Sequence, residues 1–279
     1  MFQPSPWRAD FPAIAALQRQ HQTYLDSAAT TQKPQPLLDA LSHYYGHGAA
    51  NVHRAQHLPG ALATQAFETS RDKVATWLNA ADSRQIVFTH GATSALNLLA
   101  YGLEHRLEAG DEIAISALEH HANLLPWQQL AHRRNLRLVV LPLDAQGRID
   151  QDQALQLIGP RTRVLAISQL SNVLGTWQPL PALLAHARAQ GALTVSMGPR
   201  AWCIVARTCS NWAATSMCFP ATSCTVRTAS ACSMAAPRPW SCCATGSSVA
   251  RWCSWRSTTA PASVPRPWAS KQVRRRLPG

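Results

Sequence analysis

Between residues 85 and 195, short apolar runs alternate with helix-period stretches. This rhythm constrains the fold more than any other feature of the chain. It predicts strands over 85–89, 113–116, 136–142 and 163–168, with another starting at 192–195. The intervening stretches 91–104, 123–134, 151–158 and 181–190 read as helices. Such alternation calls for an α/β fold, a mainly parallel sheet with helices on both faces joined by right-handed crossovers. Upstream, residues 1–23 read as an extension with one short helix, and 24–31 as a short extended piece. Pro34 and Pro36 open a helix running towards Tyr45, and 48–57 is a basic loop. Residues 60–80 form an amphipathic helix with Leu62, Ala66, Ser70, Val74, Trp77 and Leu78 along one face.

At Ser196 the text changes. All 14 acidic residues lie between Asp10 and Asp152. Residues 1–195 hold 15 Lys and Arg against them, whereas 196–279 hold 11 and no acid, so the net charge of +12 belongs almost wholly to the tail. That distribution argues against a nucleic-acid-binding body, which would carry its charge on a folded face. All eight cysteines follow Val195 and none forms a C-x-x-C pair, so no metal site is expected. After Ser196 there is one Ile and one Leu, a quarter of the residues are Ser or Thr, and no strand or helix period persists. Such a stretch buries too little aliphatic surface to offset its ordering entropy. The expected division is therefore a domain over 1–195 and a disordered basic tail over 196–279. The opening lacks the continuous apolar run of a signal peptide, and no later run is long enough to span a bilayer. A cytoplasmic chain without membrane attachment is expected.

Four stretches carry candidate chemistry. In GDEIAISALEHHANLLPW (110–127), His120 leaves the C-terminal end of a predicted strand, where open α/β sheets bind ligands. An imidazole there can stack on a flat ring and move protons near neutral pH, although most loop histidines are merely solvated. In HGATSALN (90–97), small residues at a strand-to-helix turn leave N–H groups of Ala92 and Thr93 free for a phosphate. Alone, the same pattern is an ordinary turn with Thr93 as an N-cap. In SQLSNVLGT (168–176), Asn172 either offers its amide to a ligand at the sheet edge or makes an Asx-turn before Gly175. NVHRAQH (51–57) offers His53 and Arg54, the latter able to grip an anion.

Taken together with YLDSAATTQKP, these motifs and their order resemble those of group II cysteine desulfurases, pyridoxal-phosphate enzymes of the class V aminotransferase group on the fold-type I scaffold. The resemblance covers about residues 10 to 195 and departs modestly at Ala92 and Ser94. It implies a pyridoxal 5'-phosphate cofactor, with Ala92 and Thr93 at its phosphate, His120 stacked on its ring and Asn172 at its phenolic oxygen. It further implies conversion of L-cysteine to L-alanine with a persulfide left on an enzyme cysteine. A homodimer and a sulfur-acceptor protein, as in iron–sulfur cluster assembly, also follow from it.

The resemblance stops abruptly. Where the family has Val-Asp-Gly-Ala-Gln, this chain has Ser196-Met197-Gly198-Pro199-Arg200, and the lysine of Ser-Gly-His-Lys is missing. A frame error accounts for both. Val195–Cys203 can be encoded GTG TCG ATG GGG CCC AGG GCG TGG TGC. One restored G gives GTG GTC GAT GGG GCC CAG GGC GTG GTG, or Val-Val-Asp-Gly-Ala-Gln-Gly-Val-Val. In that frame Met217–Val226 permits Val-Phe-Ser-Gly-His-Lys-Leu-Tyr-Gly, and Ser270–Gly279 permits Glu-Ala-Gly-Thr-Pro-Pro-Val-Ala. Residues 196–279 are thus expected to be an out-of-frame translation, and the polypeptide as written to be inactive. The alternatives are a selenocysteine lyase or other class V enzyme, a truncated dimer partner, and a non-enzymatic protein whose basic Trp-rich tail binds nucleic acid.

Overall fold

The computed structural model describes residues 5–27, 30–54, 56–171 and 173–198, together with the backbone of two strands at 216–220 and 231–235. All of these fall within one compact unit, Met1–Pro239. Seven strands form one sheet: β1 (Ile86–Thr89), β2 (Glu112–Ser116), β3 (Arg137–Leu141), β4 (Thr162–Ser168), β5 (Leu193–Met197), β6 (Ser216–Pro220) and β7 (Ala231–Ala235). Their order is β1-β7-β6-β5-β4-β2-β3. The pairs from β3 to β6 are parallel, and β7 is antiparallel to both of its neighbours. Strands β1 to β6 therefore end along the same edge. The order reverses at β2, which has β3 on one side and β4 on the other, so the loops leaving β2 and β4 diverge there and open a crevice.

The helices are α1 (Pro12–Arg19), α2 (Gln35–Gly46), α3 (Leu58–Leu78), α4 (Ala92–Leu103), α5 (His121–Arg134), α6 (Gln151–Leu157) and α7 (Leu180–Ala189). Period-two alternation in the central strands divides the core. Ala114, Leu165 and Ile167 face α6 and α7 and pack with Leu141, Ile158, Leu180, Leu183 and Leu184. The alternate residues Ile113 and Ile115 are equally buried on the opposite face. That face is covered by α4 and α5, whose Leu96, Trp127 and Leu130 are fully enclosed. Helices α3 and α5 end on Asn79 and Asn135, both in the left-handed conformation that asparagine tolerates.

The expected elements between 85 and 195 are present within one or two residues, with two differences there and a third upstream in α3. Helix α5 opens at His121 rather than Asn123, which is buried inside the first turn. Thr93 is not the N-cap of α4: the cap is Gly91, and Thr93 is the second helical residue. The stripe proposed for α3 is only partly its buried face: its Leu78 is covered, but Leu62 and Trp77 are 56% and 46% exposed, and the other covered residues, Gly60 and Ala75, lie outside it.

Two strands, β6 and β7, come from the stretch in which no regular element was expected, and β5 runs to Met197. Strand ladders are built of main-chain bonds, so a short apolar run such as Met217-Cys218-Phe219 can join a sheet without a sustained pattern. The remainder of 199–279 lies outside the described residues. No helix among the described residues is long and apolar enough to cross a membrane. None of their His, Cys, Asp and Glu side chains group to hold a metal ion.

Candidate functional site

The turn from β1 into α4 is shaped by Gly91, whose φ of 143° is rarely available to a residue with a Cβ. No side chain caps this helix. Ala92 and Thr93 stand in the first turn, where N–H groups have no partner i−4 within the helix, and the helix dipole adds positive potential. Thr89 Oγ1 donates to the Gly91 carbonyl at 3.0 Å and ties the turn to the end of β1. A helix N-terminus of this kind can offer its backbone N–H groups to an anion, and the exposed Thr93 stands beside them.

The loop leaving β2 carries His120. Its imidazole is the N-cap of α5: Nδ1 accepts the Ala122 N–H at 3.0 Å. An acceptor nitrogen carries no proton, so this contact defines a neutral ring with its proton on Nε2. Thr93 and His120 line one open cavity of ≈ 490 Å³ between α4 and α5, together with Asn97, Tyr101, His121 and Leu125. The structure thus brings the expected phosphate contact and the expected ring contact onto the same cavity, although β1 and β2 are separated by four strands in the sheet. The packing of α4 against α5 closes that distance.

Asn172 lies outside the described residues. The Ser171 Oγ accepts the N–H groups of Val173 and Leu174 at 3.2 and 3.1 Å. Gly175, at φ 67°, donates its N–H to the Ser171 carbonyl at 3.0 Å. His53 is engaged elsewhere, with Nε2 3.1 Å from Glu68 on α3, and Arg54 is exposed.

The sequence reading missed Glu119. Its carboxylate accepts from Ser116 Oγ at 2.7 Å and the Ser168 N–H at 2.9 Å on Oε1, and from Asn123 Nδ2 at 2.7 Å and Ser168 Oγ at 2.5 Å on Oε2. Burial pushes its carboxyl above the usual range, and the four hydrogen bonds oppose that shift. Asn123 Oδ1 in turn accepts the indole N–H of the fully buried Trp127 at 3.0 Å. The signal available in the sequence was a lone acid at the end of an apolar strand, followed by amide and indole at helical spacing.

Two buried polar atoms at the same sheet edge have no partner among the described residues: Gln169 Nε2 after β4 and Ser196 Oγ within β5. Pyridoxal phosphate fits part of what is present, namely the anion cradle at Ala92 and Thr93 and the imidazole at His120. Lys33 and Lys73, the lysines among the described residues, do not line the cavity, and Lys33 donates to the Thr31 carbonyl at 2.8 Å.

Residues 23–196 match the Aminotransferase class-V family, and the chain belongs to that family. Among its relatives is a Pseudomonas putida protein named "Probable cysteine desulfurase", 97% identical over 198 residues, which are 71% of this chain and 49% of the relative. A Pseudomonas aeruginosa protein of the same name is 64% identical over 195 residues, 70% of this chain and 49% of its own length. The chain thus spans about half the length of these curated relatives. The apo cysteine desulfurase of Thermococcus onnurineus superposes with a TM-score of 0.79 at 30% identity, covering 86% of this chain and 59% of that one. A cysteine desulfurase from Escherichia coli gives 0.75 at 34% identity, again covering 86% and 59%.

Proposed function

We propose that residues 1–195 are the N-terminal half of a pyridoxal-phosphate-dependent cysteine desulfurase, a homodimer in its full-length form, acting on L-cysteine and passing sulfur to an acceptor protein. The observation that carries this reading is the single cavity shared by Thr93 and His120, in a chain whose similar proteins are named for that activity. The N–H groups of Ala92 and Thr93 hold the phosphate. The His120 ring would stack on the cofactor ring, and Asn172 would offer its side-chain amide to the cofactor's phenolic oxygen. When bound, the cofactor supplies an electron sink that no side chain offers.

As written, the polypeptide does not turn over. Residues 196–279 read as an out-of-frame translation, which removes the anchoring lysine and the aspartate that would face the pyridine nitrogen. Three observations support this. The family match ends at residue 196. Ser196 is buried with its hydroxyl unpartnered among the described residues, where the restored frame writes valine. Strand β6 spans the stretch that the restored frame writes as Val-Phe-Ser, so both frames supply apolar residues there.

The test compares two recombinant chains, one as written and one with a single G restored after the Val195 codon. The restored chain is expected to show the visible absorbance of lysine-bound cofactor and to release alanine from cysteine, and the chain as written neither. Alanine release by the chain as written sinks the inactivity, and a restored chain that fails to release alanine sinks the desulfurase reading.

A further inference from the structure

We propose that Glu119 is a positioning residue, a carboxylate clamp that fixes the cavity wall carrying His120 to the end of β4. The proposal rests on the functional reading above for the identity of the ligand, and on hydrogen-bond geometry for everything else.

Glu119 sits in the four-residue excursion between β2 and α5. Its carboxylate holds that excursion at both ends, through Ser116 Oγ before it and Asn123 Nδ2 after it. It also reaches across the switch point to Ser168, taking both the main-chain N–H and the hydroxyl of the last residue of β4. One side chain therefore joins the loop that bears His120 to the strand end that leads into the Ser171 turn.

The donor count makes the clamp selective for a carboxyl group. On Oε1 the Ser168 N–H can only donate. On Oε2 the Asn123 amide must also donate, because its oxygen is occupied by the Trp127 indole, which has no acceptor capacity. Each oxygen therefore faces one compulsory donor. A carboxyl group accepts from both, whereas an amide in either flip sets its NH₂ against a donor. The polarity can be reversed: in Glu119→Gln with Asn123→Asp, the glutamine NH₂ donates to the new carboxylate, which still accepts the Trp127 N–H.

The experiment uses the full chain with ¹⁵N-labelled histidine, the His120 signals being assigned by their loss in His120→Asn. Binding of pyridoxal phosphate is measured in parallel by quenching of tryptophan fluorescence. In the parent chain His120 should give the Nε2–H tautomer with Nδ1 as an acceptor. Glu119→Gln and Asn123→Asp should each shift it towards a tautomer mixture and weaken cofactor binding by about tenfold. The double variant should return both readouts to within about twofold of the parent. A folded Glu119→Gln chain with unchanged His120 signals overturns the clamp, as does a double variant no better than the poorer single one. If neither single variant folds, the double variant decides: folded with the parent His120 signals it supports the clamp, and unfolded it refutes it. The functional reading stands or falls with the restored chain, and the histidine signals decide the clamp whether or not the parent chain binds pyridoxal phosphate.

Discussion

His120 closes the first turn of α5 with its own ring, Nδ1 accepting the N–H of Ala122 at 3.0 Å. The residue expected to stack on a cofactor is therefore also a helix cap, and the two roles separate by substitution. His120→Asn keeps a good capping oxygen and should leave stability nearly unchanged. His120→Ala should lower it by about 1 kcal/mol, read from the urea midpoint. Both variants remove the ring and should weaken pyridoxal phosphate binding alike.

Trp127→Phe keeps most of the buried ring area but removes the donor to Asn123 Oδ1. With no water to replace it, the stranded acceptor should cost about 1–3 kcal/mol. Trp127→Ala adds a cavity at a fully enclosed position and should cost about 3–5 kcal/mol. Equilibrium unfolding followed by circular dichroism checks both, and a Trp127→Phe chain as stable as the parent would argue against the hydrogen bond.

Glu119 makes stability depend on pH with a defined sign. Burial raises its folded-state carboxyl above the ordinary value of 4.5, so between the unfolded and folded values the native state keeps a proton that the unfolded chain releases. Stability from this group is complete below that value and is lost as pH rises through the folded one. The melting temperature should fall over that window, and Glu119→Gln should flatten the profile. A profile that instead rises, with glutamine making no difference, would contradict the assignment.

Ser196 Oγ is buried in β5 with no partner among the described residues, and alanine removes the polar atom without adding bulk. Ser196→Ala should raise the unfolding free energy by about 1–2 kcal/mol. A neutral or destabilising change would indicate that the hydroxyl does find a partner.

The sheet and helices between 85 and 195 were legible because central strands buried on both faces read as unbroken apolar runs, as in Ile113–Ile115 and Val164–Ile167. His120 and Thr93 were legible as loop residues at strand ends. The capping of α5 by an imidazole was not, because histidine is an uncommon cap and Asn123 is the stronger local signal. Glu119 was not, because its partner Ser168 lies across the sheet and sequence spacing is blind to that contact. The α3 stripe misled because Leu62 and Trp77 mark a helix face that nothing among the described residues covers.

Thr89 pairs with Ala231, and β1 meets the rest of the sheet through β7. On a ribosome, the strand that leads into the anion cradle emerges early and waits for a partner well over a hundred residues downstream. Contacts of that sequence separation are slow to form, and an edge strand left waiting is open to pairing with other chains. A change of reading frame between the two would act on assembly as well as on chemistry. It rewrites the segment that receives β1, so the cradle's place on the sheet is decided by the last part of the sheet to be synthesised.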